Sequence, residues 1–151
     1  MSGRRNDKVA NVKDRLIGTW TLVSAVREEI PSGVKTDLFG KSPHGFINYS
    51  PDGRMIALIT RGDRSRPVDG RASDAEAEAL FRSMLSYGGP YTIEGNEVTH
   101  QVDISWNESF TGSKQKRIAT LDGDTLTLLT PQSNDPIDGK MSVRTMVWKK
   151  V

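Results

Sequence analysis

Leu16-Ile17-Gly18-Thr19-Trp20-Thr21-Leu22-Val23-Ser24 is the stretch whose reading decides the fold. Trp20, Leu22 and Val26 fall on one side of an extended chain; Thr19, Thr21 and Arg27 fall on the other. A period of two over that length marks a half-buried β-strand. A glycine two residues before a tryptophan lets the chain come close where a large ring must lie across something. Such an opening suits a small antiparallel barrel whose first strand plugs its own closed end.

Outward from this strand, about Leu16 to Glu29, the sequence alternates short apolar runs with turn residues. Pro31-Ser32-Gly33 turns into a short strand near Val34 to Phe39. Gly45 to Ser50 and Arg54 to Thr60 flank Pro51-Asp52-Gly53, in which proline sets φ and glycine gives the exit. Tyr91 to Glu94 and Glu97 to Ser105 are joined by Gly95-Asn96, and Lys114 to Leu121 and Thr125 to Thr130 by Asp122-Gly123-Asp124. Met141 to Lys150 is the last strand. Regular spacing and tight turns predict an all-β, up-and-down antiparallel barrel of about 8–10 strands.

One helix interrupts the series, over about 74–86. Ser73 and Glu76 make a capping box, and Ala77, Leu80, Phe81, Met84 and Leu85 form the apolar stripe that Gly88 ends. Placed over an open end of the barrel, it makes Leu80, Phe81 and Met84 mouth residues; placed on the outer wall, it makes them packing.

A chain of 151 residues is long enough to bury about 70% of its unfolded surface in one domain, here 12–151, after a polar tail at 1–11. No apolar run approaches the roughly 18 residues of a membrane span, and no apolar segment follows Arg4, Arg5 and Lys8, so the expected compartment is the cytoplasm. There is no cysteine, which excludes disulfides and thiolate metal sites. The net charge of +2 is small, and the basic run Arg61 to Arg71 carries no interleaved aromatics, which argues against nucleic acid as a partner.

With these pieces in place the chain resembles the bacterial and fungal lipocalin-like domain family, over about Leu16 to Lys149. The resembling pieces are the opening stretch, Gly45 to Met55 (GFINYSPDGRM), the acidic capped helix, Tyr91 to His100 (YTIEGNEVTH), Leu121 to Leu128 (LDGDTLTL) and Val147-Trp148-Lys149. The resemblance implies a calycin-type barrel with a cavity, and only weakly a chemistry, because the fold hosts unrelated functions. The Arg-x-Tyr carboxylate clamp of fatty-acid carriers is missing, since Arg144-Thr145-Met146 stands at that place.

His100 shares a face with Val98, Val102 and Ile104, so an imidazole among aliphatics is either a satisfied core group or a neutral acid/base. Arg117 alternates inward with Gln115, Ala119 and Leu121; it either binds a ligand oxyanion or packs on Trp20, a role for which Arg144 competes. Tyr49 and Tyr91 point inward with Ile47 and Ile93, as ligand-orienting phenols or as filler. His44 and His100 lack metal-ligand spacing, and no nucleotide fingerprint occurs, so no metal or cofactor is expected.

The expected function is binding of a small, mainly apolar molecule in the barrel, lined by Tyr49, Met55, Tyr91, His100, Val102 and Arg117, with Leu80, Phe81 and Met84 near one mouth. The alternative is a cofactor-independent isomerase, cyclase or hydrolyase of secondary metabolism, acting on a polyketide- or terpenoid-like metabolite. His100 is then the acid/base, with Arg117 and Tyr49 stabilising oxyanion charge. A third reading is a homodimerising module whose cavity is filled by its own side chains.

Overall fold

A computed structural model describes residues 12–135 and 138–151; the expected tail at 1–11 lies outside them. A helical turn, α1 (residues 12–16), leads into β1 (Gly18–Glu29), followed by β2 (Lys35–Asp37), β3 (His44–Tyr49) and β4 (Arg54–Thr60). The helix α2 (Asp74–Arg82) connects to β5 (Met84–Glu94). Then come β6 (Glu97–Gln101), β7 (Ile104–Ser105), a 3-10 turn (Glu108–Phe110), β8 (Lys114–Asp122), β9 (Thr125–Leu129), β10 (Ser133–Asn134) and β11 (Met141–Lys150).

Eight of these strands close an antiparallel barrel in the order β1-β3-β4-β5-β6-β8-β9-β11, with β11 returning to pair β1. The short β2, β7 and β10 pair with β1, β5 and β11 outside that ring. Tight turns join β3 to β4, β5 to β6 and β8 to β9, as expected, while longer connections holding β2, α2, β7 and β10 join the rest.

Trp20 closes one end. It is buried, its Nε1 donates to the Leu16 carbonyl at 2.8 Å, and Leu16 is itself fully buried. The cation over its ring is the Lys150 ammonium, 4.6 Å from the centroid, rather than Arg117 or Arg144. Gly18 has φ +126°, and a Cβ there would meet the Lys150 Nζ at 2.8 Å. The close approach expected of this glycine is therefore to the side chain of the last strand.

Four details depart from the sequence reading. A bulge between Leu22 and Ser24 shifts β1 by one residue, so Ala25 rather than Val26 continues the inward face, and Arg27 turns toward the rim. The helix stops at Arg82, because Arg61 N–H bonds the Ser83 carbonyl and Met84–Tyr87 pair with β4. Ladder pairing overrides the helical period there. The run read as Glu97 to Ser105 breaks after Gln101: Val102 N–H turns to the Ser113 carbonyl and Asp103 N–H to that of Gly88. Finally, α2 keeps its capping box but buries none of its residues, so it packs no stripe into the core.

Candidate functional site

The centre of the barrel is a three-ring hydrogen-bond chain. Tyr49 on β3 and Tyr87 on β5 reach His100 on β6 from two sides, with Tyr49 Oη 2.7 Å from His100 Nε2 and Tyr87 Oη 2.8 Å from His100 Nδ1. His100 is 1% exposed, and its pKa is pushed down to about 3 by burial and then by the nearby Arg117 guanidinium. Burial likewise raises both phenols, Tyr49 strongly. The chain is therefore neutral at pH 7. Ring edges extend it: Tyr91 packs edge-on to Tyr49, and Phe110 stacks on Tyr87.

Neutrality fixes the hydrogen count. One imidazole nitrogen donates and the other accepts, so one of the two hydroxyl hydrogens is left for another acceptor. Tyr49 is fully buried and His100 is the only hydrogen-bond partner of its hydroxyl among the described residues, whereas Tyr87 faces a small cavity. Buried donors need acceptors. The favoured tautomer is thus Nδ1–H donating to Tyr87 Oη, with Tyr49 O–H donating to Nε2 and Tyr87 O–H directed to the cavity.

That cavity is only about 20 Å³, room for about one water. Its polar lining is Tyr87, His100, Arg117 and Trp148, set among aliphatic side chains such as Ile59 and Leu128. The larger space lies beside it, at the open end. Pairing of β8 with β9 begins at Ile118, so Lys114–Arg117 pair β6 alone and leave the wall split toward β10 and β11. The split is a cleft of about 500 Å³ whose walls include Phe110, Ser133 and Arg144. Arg117 lines both spaces.

The cleft is basic: Lys114, Lys116, Arg117 and Arg144 face one carboxylate, Asp135. Asp135 is buried and already bridges Arg144 at 2.8 Å and Arg27 at 3.2 Å. Arg117 differs. Its one hydrogen bond among the described residues is from Nη1 to the Lys116 carbonyl at 2.8 Å, and no carboxylate of the described residues lies within 4 Å.

Of the residues expected at the site, His100 and Arg117 come together as read, and Tyr49 joins them through the imidazole. Val102 and Met55 are buried core, and Tyr91 donates to the Ser50 carbonyl toward the closed end. Leu80 lines a groove with the Arg61–Arg66 loop, and Phe81 lies 6.2 Å from Trp106, whose ring is 5.0 Å from Phe110 of the cleft wall. Met84, the first residue of β5, pairs Thr60 on β4. Tyr87 and Trp148 were missed as site residues. Leu85, Tyr87, Gly89, Tyr91 and Ile93 alternate without a break, and that period was the available signal for Tyr87.

Compared with known proteins, residues 17–151 match the family model described as a lipocalin-like domain. No curated protein matches. Among solved structures, a lipocalin-like protein from Bacteroides uniformis is 16% identical with a TM-score of 0.47, covering 91% of this chain and 99% of that one. An uncharacterized protein from Bacteroides eggerthii is 13% identical with a TM-score of 0.44, covering 90% and 99%.

Proposed function

The chain belongs to the lipocalin-like domain family, and from that premise we propose that it binds a small, mainly apolar molecule whose body lies in the cleft at the open end. Barrels of this type are in general able to bind a small hydrophobic molecule. The observation that carries the reading is the pair of volumes. About 500 Å³ in the cleft falls within the roughly 300–1,000 Å³ of small-molecule sites, whereas about 20 Å³ inside the barrel holds no such ligand. Phe110 supplies an apolar wall, and the basic rim orients a polar head.

A second reading is favoured by the Tyr49–His100–Tyr87 chain: a cofactor-independent enzyme. Both nitrogens of His100 are engaged by tyrosines, so proton exchange with a substrate would run through Tyr87 Oη and not through the imidazole directly. His100 would then be a positioning residue.

Fluorescence titration with Nile red and with anilinonaphthalene sulfonate tests the first reading, alongside mass spectrometry of an organic extract of the purified protein. Saturable dye binding is expected, weakened at least about tenfold, or 1.4 kcal/mol, in Ser133→Trp, which fills the cleft from an exposed position. Absence of saturable binding together with an empty extract defeats it and moves attention to the outer wall, where Phe46, Ile56 and Leu58 are exposed.

A further inference from the structure

Trp148 carries an unexplained donor. It is 1% exposed, it lines the interior cavity, and its Nε1–H is buried with no acceptor among the described residues. Two other donors share that lining. Tyr87 O–H is the hydrogen left over by the His100 chain, and Arg117 brings a guanidinium with no carboxylate partner among the described residues. The remaining polar group, His100, has both nitrogens engaged. A cavity whose polar side chains offer hydrogens and no acceptor is complementary to an oxygen bearing lone pairs and negative charge.

We infer that this cavity is the receptor for one oxygen of a carboxylate, held by the Tyr87 hydroxyl, the Trp148 indole N–H and the Arg117 guanidinium. The volume of about 20 Å³ suits a single oxygen. Arg117 is shared with the cleft, so the second carboxylate oxygen and the body behind it lie on that side. The inference deepens the cleft-binding reading and rests on it for the ligand's apolar part. His100 acts here through Tyr87: it accepts from Tyr49 and donates to Tyr87 Oη, which holds the Tyr87 hydrogen toward the ligand.

The test begins with the indole N–H resonances of the three tryptophans, that of Trp148 identified by Trp148→Phe. Sodium formate is titrated against sodium chloride at equal ionic strength. A saturable downfield movement of the Trp148 signal is expected while that of Trp20, bonded to the Leu16 carbonyl, stays in place. The second arm compares 2-naphthoate with neutral 2-naphthalenemethanol. Naphthoate is expected to bind at least about tenfold tighter, with the ratio falling to near one in Tyr87→Phe and, independently, in Arg117→Met. Lys149→Met removes the same charge from an exposed position outside the cleft and should move the ratio by less than about twofold.

A Trp148 signal indifferent to formate, with equal affinities for the two naphthalenes, overturns the carboxylate receptor while leaving cleft binding in place. A formate response with neither naphthalene bound makes a free small carboxylate the occupant and removes the cleft reading. No response in either arm removes both.

Discussion

At the residue scale, strand alternation alone decides that His100 and Arg117 face inward, because both strands keep their period through those positions. It could not supply the partners. Which phenols meet the imidazole depends on register between β3, β5 and β6, and Tyr87 follows directly on an apolar stripe at helical spacing that hides its strand period. The neutral buried imidazole carries a pH signature. The unfolded chain takes up a proton near the ordinary histidine value of about 6.5, whereas the folded chain resists until about pH 3. Between these values the unfolded state binds more protons, so stability falls as pH falls. At pH 5 the loss relative to pH 7 is expected to be about 2 kcal/mol. Asp63, Asp103 and Asp138, whose ion pairs with arginines depress their pKa values, lose their contributions only at more acid pH. Urea midpoints at pH 7 and pH 5 check this: the wild-type midpoint should drop, and His100→Gln should show a clearly smaller drop. A wild-type midpoint unchanged between those values would mean the imidazole titrates normally in the folded chain.

At the element scale, the hairpins were legible because their turn residues have local reasons, and the boundaries that failed are those set by distant contacts. Strand β5 is the main case. It enters early because β4 offers a ladder to Met84–Tyr87, and β6 ends early because the chain must pass Gly89 closely. A Cβ on Gly89 would sit 1.8 Å from the Gln101 carbonyl oxygen, a backbone atom that cannot swing aside. This contact lets β6 leave the ring at Val102 and β7 pair the opposite part of β5. Gly89→Ala is therefore expected to cost at least about 3 kcal/mol. Gly53→Ala provides the comparison. Both are at positive φ, +157° at Gly89 and +91° at Gly53, but nothing lies within 4 Å of a methyl at Gly53, so the cost should stay near 1–2 kcal/mol. Denaturation of the two variants side by side separates sterics from dihedral strain. Equal losses would mean that the Gln101 carbonyl yields and the crossing does not define the strand end.

At the scale of the whole molecule, the question is why a barrel read as a container is nearly full. Eight strands enclose a space that side chains can just fill or that can hold one small ligand, so residue size decides between the two. Here Trp20, Tyr49, Tyr87, Tyr91 and Trp148 project inward, and Ala25, Ala57 and Ala119 leave them room. The sequence shows these sizes but not their sum, because packing depends on how rings from opposite walls interdigitate. The filling moves the candidate site from the barrel centre to the split beside β8. It also makes the interior a place where volume can be created by deletion. Leu128 lines the cavity at 2% exposure, and Leu128→Ala should cost about 2–5 kcal/mol. The deletion adds space beside the apolar walls Ile47, Ala57, Ile59, Leu85 and Met146, so it should accept a xenon atom that the wild type excludes. Xenon chemical-shift titration of both proteins reads this directly. Binding by the variant alone confirms that side chains, and not the strand number, set the interior volume. Binding by the wild type would mean that its walls open readily, and the apolar body of the ligand would then belong inside the barrel, against Tyr49 and His100, rather than in the cleft.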